Sequence, residues 1–173
     1  GLGNAFLSNI REMNALLHVV RCFDDENVVH VNGAINPLKD IETINLELIF
    51  ADLEVLEKRE QKLDKLIRSG DGDAKKHKEI IQSLKELMEN GNLPKLDDFD
   101  HEEIKFIESM NLLSTKPMVL IANLSDDELK NDLDAIEAYA KSNGINIIPA
   151  IIKVEHELAS LDESEQAEYL ELL

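Results

Sequence analysis

A single amide side chain stands where a strand pattern gives way to a helix pattern. Asn123 follows the apolar run Met118–Ala122 and precedes Ser125-Asp126-Asp127-Glu128, a sequence typical of a helix start. In open α/β sheets, ligands bind outside the carboxyl ends of the strands. Asn carries a donor and an acceptor side by side, which is the pair needed to recognise the edge of a purine base. The alternative interpretation is a turn residue, because Asn is common after strands.

The other residues that could do chemistry are isolated from one another in the sequence. We interpret His18, on an apolar strand, as a packed residue rather than a ligand, and Cys22 as an inert core residue. No second His or Cys stands at metal-ligand spacing, so no metal site is predicted. The acidic triplet Asp24–Glu26 could attract a cation, but a solvated loop is favoured. No pair of carboxylates or histidines has a spacing that demands proximity, and no catalytic residue is predicted in this segment.

Length and charge restrict the possible functions. The chain has 173 residues and a net charge of −18. It contains no apolar run of the roughly 20 residues needed to span a bilayer, and no signal peptide is predicted. The negative charge argues against direct, nonspecific nucleic-acid binding, because phosphate contacts require Lys and Arg; a basic partner stays possible. One cysteine indicates a reducing compartment. Both ends fall inside helical patterns, so we expect a segment of a longer protein.

Strands alternate with helices around Asn123. A helix is predicted over residues 4–13, and strands over Leu16–Val20, Met118–Ala122 and 145–150. Helices are also expected from Asp100, over Asp126–Ser142 with a C-cap at Asn143-Gly144, and from Leu161, with Asp162 and Glu165 at capping-box spacing. Parallel strands separated by helices predict an α/β fold whose sheet is covered on both faces.

An α-helical hairpin interrupts this alternation. Its first helix has a heptad-like apolar pattern in which Glu60 takes one core position. The breaker Ser69–Asp73 separates it from a second helix. We predict that this antiparallel, coiled-coil-like hairpin projects as an arm, with an ordinary packed helix pair as the alternative. The apolar positions of the pattern are Ile49, Leu53, Leu56, Leu63 and Ile67, then Ile80, Leu84 and Leu87.

Several segments, in order along nearly the whole chain, resemble the YchF/Obg-like ATPase family of P-loop proteins. They are Gly1–Arg11, His18–Asp25, His30–Gly33, Asp40–Glu42, Lys116-Pro117 and Asn123–Asp126. The resemblance implies part of a parallel-sheet P-loop NTPase G domain, of the translation-factor-class GTPase fold, with an inserted antiparallel α-hairpin. Three parts are then expected: residues 1–45, the G-domain segment after switch II; residues 46–98, the helical arm; and residues 99–173, the base-recognition part.

The resemblance also implies a function and a site. The family prefers ATP to GTP, and the implied base-binding residues are Asn123, Leu124, Phe23, Ser125 and Asp126. Asn123 would bind the adenine edge, with Leu124 and Phe23 packing on the two faces of the base. A cytoplasmic ATP hydrolase is implied, with the ribosome or another basic partner bound through the arm and a C-terminal TGS-type domain.

The chain departs from the family pattern at three places. No Gly-x-x-x-x-Gly-Lys-[Ser/Thr] loop occurs, so the phosphate and Mg²⁺ ligands are expected upstream, and this segment alone is predicted to be inactive. Asp126 occupies the place where Asn-Lys-x-Asp GTPases carry their guanine-binding carboxylate, so GTP binding stays an alternative. Ile151-Ile152 replaces a Ser-Ala-type element and leaves only a backbone N–H to donate. A non-catalytic α-hairpin interaction module is the other alternative.

Overall fold

A computed structural model of the chain describes residues 3–23, 36–126 and 133–172, with side chains as far as Tyr169. Its contacts divide the chain into two compact units. The helical unit comprises residues 1–16 and 42–117, and the sheet unit comprises residues 17–41 and 118–173. The elements in chain order are α1 (Asn4–Arg11), β1 (Leu16–Arg21), α2 (Pro37–Arg68), α3 (Gly72–Glu89), a 3₁₀ turn (Leu96–Asp98), α4 (His101–Glu108), β2 (Met118–Asn123), α5 (Asp134–Asn143), β3 (Asn146–Ala150), α6 (Ile152–Ala159) and α7 (Glu163–Leu172).

The sheet has three strands in the order β1-β2-β3. β2 and β3 are parallel, with Asn123 opposite Ala150. At the two ends of β1, Leu16 N–H donates to the Pro117 carbonyl and Cys22 N–H to the Asn123 carbonyl, both at 2.9 Å. The constant sequence offset between donor and acceptor means that β1 also runs parallel to β2. The predicted parallel α/β sheet is therefore confirmed.

The two faces of the sheet differ in burial, because alternate side chains point to opposite sides. One face contributes to a core cluster with residues of α2 and α5, namely Val20, Cys22, Leu120 and Ala122 with Ile41, Ile136 and Ala140. On the other face, Leu17, Val19 and Ile148 are 70%, 54% and 51% exposed. Sequence analysis predicted helices on both faces; within the described residues, these three side chains lack such a cover.

His18 lies on β1, half-buried. Its Nδ1 is buried and has no hydrogen-bond partner among the described residues. Burial lowers the pKa of His18, while the negative charge of Asp40 acts in the opposite direction. A neutral, packed imidazole follows from this environment, in keeping with the interpretation drawn from the sequence.

α2 and α3 form the predicted helical hairpin. The Asp71 carboxylate caps α3 by accepting hydrogen bonds from Asp73 N–H and Ala74 N–H. The core of the hairpin differs from the sequence pattern in two ways: Ala74, Ile81 and Met88 are also buried, whereas the predicted position Leu87 is only half-buried. It continues beyond the hairpin into Phe106, Ile107, Met110 and Leu112. Within the helical unit, the hairpin therefore packs against α4 rather than standing as a bare helix pair.

Local signals located most helix ends correctly. Asp100 and Glu103 form a capping box at α4, and Gly144 closes α5 in the left-handed conformation, at φ 66°. Asp162 and Glu165 form the reciprocal bonds predicted at the start of α7. The sequence analysis missed α6 entirely. It also made α1 two residues too long.

Three sequence-based expectations concern residues outside the described ranges. They are the acidic triplet Asp24–Glu26, the segment His30–Gly33 that contributes to the family resemblance, and the first turns of the helix predicted from Asp126. The domain division into residues 1–45, 46–98 and 99–173 stays a prediction. Across residues 3–23, 36–126 and 133–172, no helix has both the length and the apolar character needed to cross a membrane.

Candidate nucleotide-base site

The carboxyl ends of the three strands converge on Asn123. Its backbone carbonyl accepts the hydrogen bond from Cys22 at the end of β1. The next residue, Leu124, donates its N–H to the carbonyl of Ala150, the last residue of β3, at 2.9 Å. Phe23, Leu124 and the start of α6 are thereby gathered at one edge of the sheet, which is the edge where open α/β sheets bind ligands.

The side chain of Asn123 has a structural role that the sequence did not predict. Its Oδ1 accepts a hydrogen bond from Ile152 N–H at 3.2 Å. Ile152 is the first residue of α6, and the N-cap residue, Ile151, provides no side-chain cap of its own. Asn123 therefore satisfies one of the N–H groups that a helix start leaves unpaired. The amide nitrogen, Nδ2, is the part of this side chain that can donate to a purine nitrogen.

Phe23 and Leu124 offer apolar surface beside that amide. Phe23 is half-buried, and the Arg21 guanidinium carbon lies 4.9 Å from its ring centroid. Arg21 Nε also donates to the Phe23 carbonyl at 3.2 Å. One face of the ring is thus taken by Arg21, and only the opposite face could stack on a base. Leu124 is half-buried and packs against the core of the sheet unit.

The Asp126 carboxylate is already bound within this chain. Its Oδ2 accepts a hydrogen bond from Lys153 Nζ at 3.0 Å, and its Oδ1 accepts one from Ser125 Oγ at 3.2 Å. The Lys153 bond, followed by the Ser125 bond, holds the pKa of Asp126 below its usual value. Each carboxylate oxygen of Asp126 thus already accepts one hydrogen bond from a side chain of this chain.

Sequence analysis missed two contributors to this edge. The Ile152 N–H was considered as a donor to a base, whereas in the structure it donates to Asn123. Lys153 was not considered as a partner of Asp126. The available signal was topological: residues that follow β3 must lie at the same sheet edge as those that follow β2. Within the described ranges, no group of three or more His, Cys, Asp or Glu residues is arranged to hold a metal ion.

Comparison with known proteins gives consistent results across bacteria. Over 173 residues, 99% of this chain, the sequence is 42% identical to a protein named ribosome-binding ATPase YchF from Pasteurella multocida, and covers 48% of that protein. The protein of the same name from Bacillus subtilis is 41% identical over 178 residues, with 49% of it covered. The one from Escherichia coli O157:H7 is 38% identical, with 48% covered. The chain therefore spans about half the length of the curated relatives it matches. No protein-family model matches it.

The fold agrees with the sequence comparison. The structure of the YchF GTPase of Schizosaccharomyces pombe superposes with a TM-score of 0.85 at 31% identity, covering 99% of this chain and 48% of that protein. Because 99% of this chain is covered, the similarity includes the hairpin inserted between β1 and β2. Together with the bacterial relatives, it shows that over these 173 residues the chain belongs to the YchF/Obg-like ATPase family.

Proposed function

We propose that this chain is the base-recognition part of a protein that binds and hydrolyses ATP in preference to GTP. The observation that carries the proposal is the position of Asn123, whose Oδ1 is held by the Ile152 N–H at the carboxyl edge of the sheet. This bond orients the amide so that Nδ2 can donate to an adenine nitrogen. Phe23 and Leu124 supply apolar contact to the faces of the base, where stacking on an aromatic ring is worth roughly 1–3 kcal/mol.

In this proposal, the present chain binds the base, and residues outside it bind the triphosphate and Mg²⁺. The residues described here fit a purine base. The sequence holds no Gly-x-x-x-x-Gly-Lys-[Ser/Thr] loop for the triphosphate and Mg²⁺, and hydrolysis in P-loop proteins relies on that machinery for positioning and charge stabilisation. The 173-residue chain alone is therefore expected to be inactive and to bind nucleotide weakly.

Ribosome binding by the whole protein, in the cytoplasm, is the second part of the proposal. It rests on the name of the bacterial relatives. The helical hairpin is the candidate contact surface. A deletion of residues 49–89 would not test it cleanly, because Phe106, Ile107 and Leu112 would lose their core partners. Substitutions at the exposed tip, such as Arg68→Gln, leave that core intact.

A conventional GTP-binding protein is the alternative that one observation favours, namely Asp126 in the fourth place of the Asn123–Asp126 block. Equilibrium binding of ATP and GTP to the full-length protein carrying this segment separates the two. ATP is expected to bind more tightly. Tighter binding of GTP would overturn the ATP preference while leaving the family and the fold in place.

Asn123→Asp tests the role of the amide in the same assay. The carboxylate retains an acceptor for the Ile152 N–H but loses the Nδ2 donor. We expect ATP affinity to fall roughly three- to tenfold, the factor of one net hydrogen bond. Asn143→Asp is the matched control, because Asn143 ends α5 and donates to the Tyr139 carbonyl away from this edge. An equal loss of affinity in both variants, or no loss in Asn123→Asp, would remove Asn123 from the site.

A further inference from the structure

An ion pair joins Asp126, three residues after β2, to the first turn of α6. Lys153 Nζ lies 3.0 Å from Asp126 Oδ2. The other carboxylate oxygen accepts from Ser125 Oγ. The Lys153 and Asp126 side chains are 67% and 57% exposed, so the pair is accessible to a nucleotide that would approach this edge.

Guanine and adenine make opposite demands on a carboxylate at this place. Guanine presents two adjacent donors, the N1–H and the 2-amino group, and can use both oxygens of a carboxylate. Adenine has an unprotonated N1 and no 2-amino group, so it gains nothing from such an acceptor. Each carboxylate oxygen can accept more than one hydrogen bond, so guanine would have to share both oxygens with Lys153 and Ser125, which already fix the orientation of the carboxylate.

We propose that Lys153 is a specificity-determining positioning residue, which holds the Asp126 carboxylate in an intramolecular ion pair and so competes with guanine for the acceptor that guanine would need. This inference rests on the proposed nucleotide-binding function. It accounts for a protein that keeps an Asp in the fourth place of the Asn123–Asp126 block and still prefers adenine.

The surroundings of Lys153 keep its ammonium group at this edge. The N–H of its neighbour Ile152 donates a hydrogen bond to Asn123 Oδ1, which holds the first turn of α6 next to the residues that follow β2. Glu157 lies one turn further along α6 and attracts Lys153 away from Asp126, but its Oε2 accepts a hydrogen bond from the Tyr169 hydroxyl at 2.8 Å. Among the described residues, Asp126, Glu157 and Tyr169 are the charged or titratable groups that act on Lys153.

A double-mutant cycle in the full-length protein tests the inference. Lys153→Gln is expected to raise GTP affinity about two- to fivefold, the factor that corresponds to an exposed ion pair, with little change in ATP affinity. In an Asp126→Asn background the same substitution should have no effect on GTP affinity, because the negative charge that pairs with Lys153 and the second acceptor oxygen are gone. Lys153→Arg should restore the wild-type preference. Lys141→Gln, in the last turn of α5, is the control for removing one positive charge from the sheet unit.

A second measurement needs no nucleotide. In Lys153→Gln, the pKa of the Asp126 carboxyl followed by NMR should rise from its lowered value, because the largest cause of the lowering is removed. An unchanged Asp126 pKa, or a Lys153→Gln effect that is equal for ATP and GTP or persists in Asp126→Asn, would overturn the inference. Wild-type preference for GTP would instead contradict the proposed ATP preference, and the cycle would still report whether Lys153 restrains Asp126.

Discussion

At the scale of single residues, the least expected feature is a buried carboxylate. Asp52, in the middle of α2, is fully buried. It accepts hydrogen bonds from the Leu113 and Ser114 N–H groups at 3.0 and 2.7 Å, from Ser114 Oγ at 2.7 Å, and from Arg11 Nη1 at 2.8 Å. A charged residue in a helix is usually solvated, so nothing in the local pattern distinguishes Asp52 from the other acidic residues of α2. It joins α1, α2 and the segment after α4 within the helical unit.

Removal of this carboxylate should cost far more than removal of an exposed one. Asp52→Ala leaves the Arg11 charge and the Leu113 and Ser114 donors without their acceptor, and we expect a loss of about 3–5 kcal/mol in the stability of the helical unit. The control is Asp64→Ala, which breaks a half-exposed pair with Lys78 at 2.6 Å and should cost less than about 1 kcal/mol. Hydrogen exchange of the amides of Leu113 and Ser114 measures the difference. Equal losses would show that the buried network adds no stability.

At the scale of elements, the polar gap in the heptad pattern has a defined role. Glu60 sits between the buried Leu56 and Leu63 and is only partly exposed. Its Oε2 accepts from Lys85 Nζ at 2.9 Å and its Oε1 from Gln82 Nε2 at 3.2 Å, both on α3. The hydrogen bond from Lys85 is the largest cause of the lowered pKa of Glu60. A polar layer of this kind favours one register of the two helices over others.

This layer predicts a pH dependence of the hairpin. Because the folded-state pKa of Glu60 is below its unfolded value, its stabilising contribution is present above the unfolded pKa and is lost as pH falls through the folded one. Glu60→Leu should therefore weaken the loss of stability in acid while stability at neutral pH stays similar or rises. Glu79→Leu, at an exposed position of α3, is the control. The measurement is the melting temperature of each variant at several pH values between neutral and acidic. If Glu60→Leu lost as much stability in acid as the wild type and Glu79→Leu, the prediction would be contradicted.

At the scale of the whole molecule, the chain contains two separate cores. The cluster around Leu56, Ile81 and Ile107 lies wholly within the helical unit. The cluster around Val20, Leu120 and Ile136 lies wholly within the sheet unit. Clusters that share no residue allow their units to open independently.

Truncation of a side chain in one cluster should therefore lower the stability of the unit that contains it and leave the other unit little changed. Leu56→Ala is expected to lower the free energy of opening of the helical-unit amides by about 2–5 kcal/mol, with the sheet-unit amides little changed. Leu120→Ala should have the converse effect. Native-state hydrogen exchange resolves the two sets of amides. A uniform decrease across both units in either variant would mean that the chain unfolds as one cooperative unit.

Sequence reasoning was accurate for most of the local signals. Apolar runs located all three strands, and the capping residues Asp100, Gly144 and Asp162 marked helix ends, because each signal depends on neighbours within about one helical turn. The heptad steps identified the hairpin, but not the burial of Ala74, Ile81 and Met88, which depends on packing. α6 was missed because Ile152-Lys153-Val154-Glu155 alternates like a strand, and its first N–H is satisfied from β2, 29 residues away.

By itself, the sequence determined the alternation of strands and helices, the hairpin and the place of Asn123 at a strand end. Only the tertiary structure decided what that edge contains: Asn123 tied to Ile152, and Asp126 paired with Lys153. The physical reason is that secondary structure follows from the dihedral preferences and apolar periodicity of adjacent residues, whereas the partner of a polar group is chosen by which distant segments the packed sheet brings together.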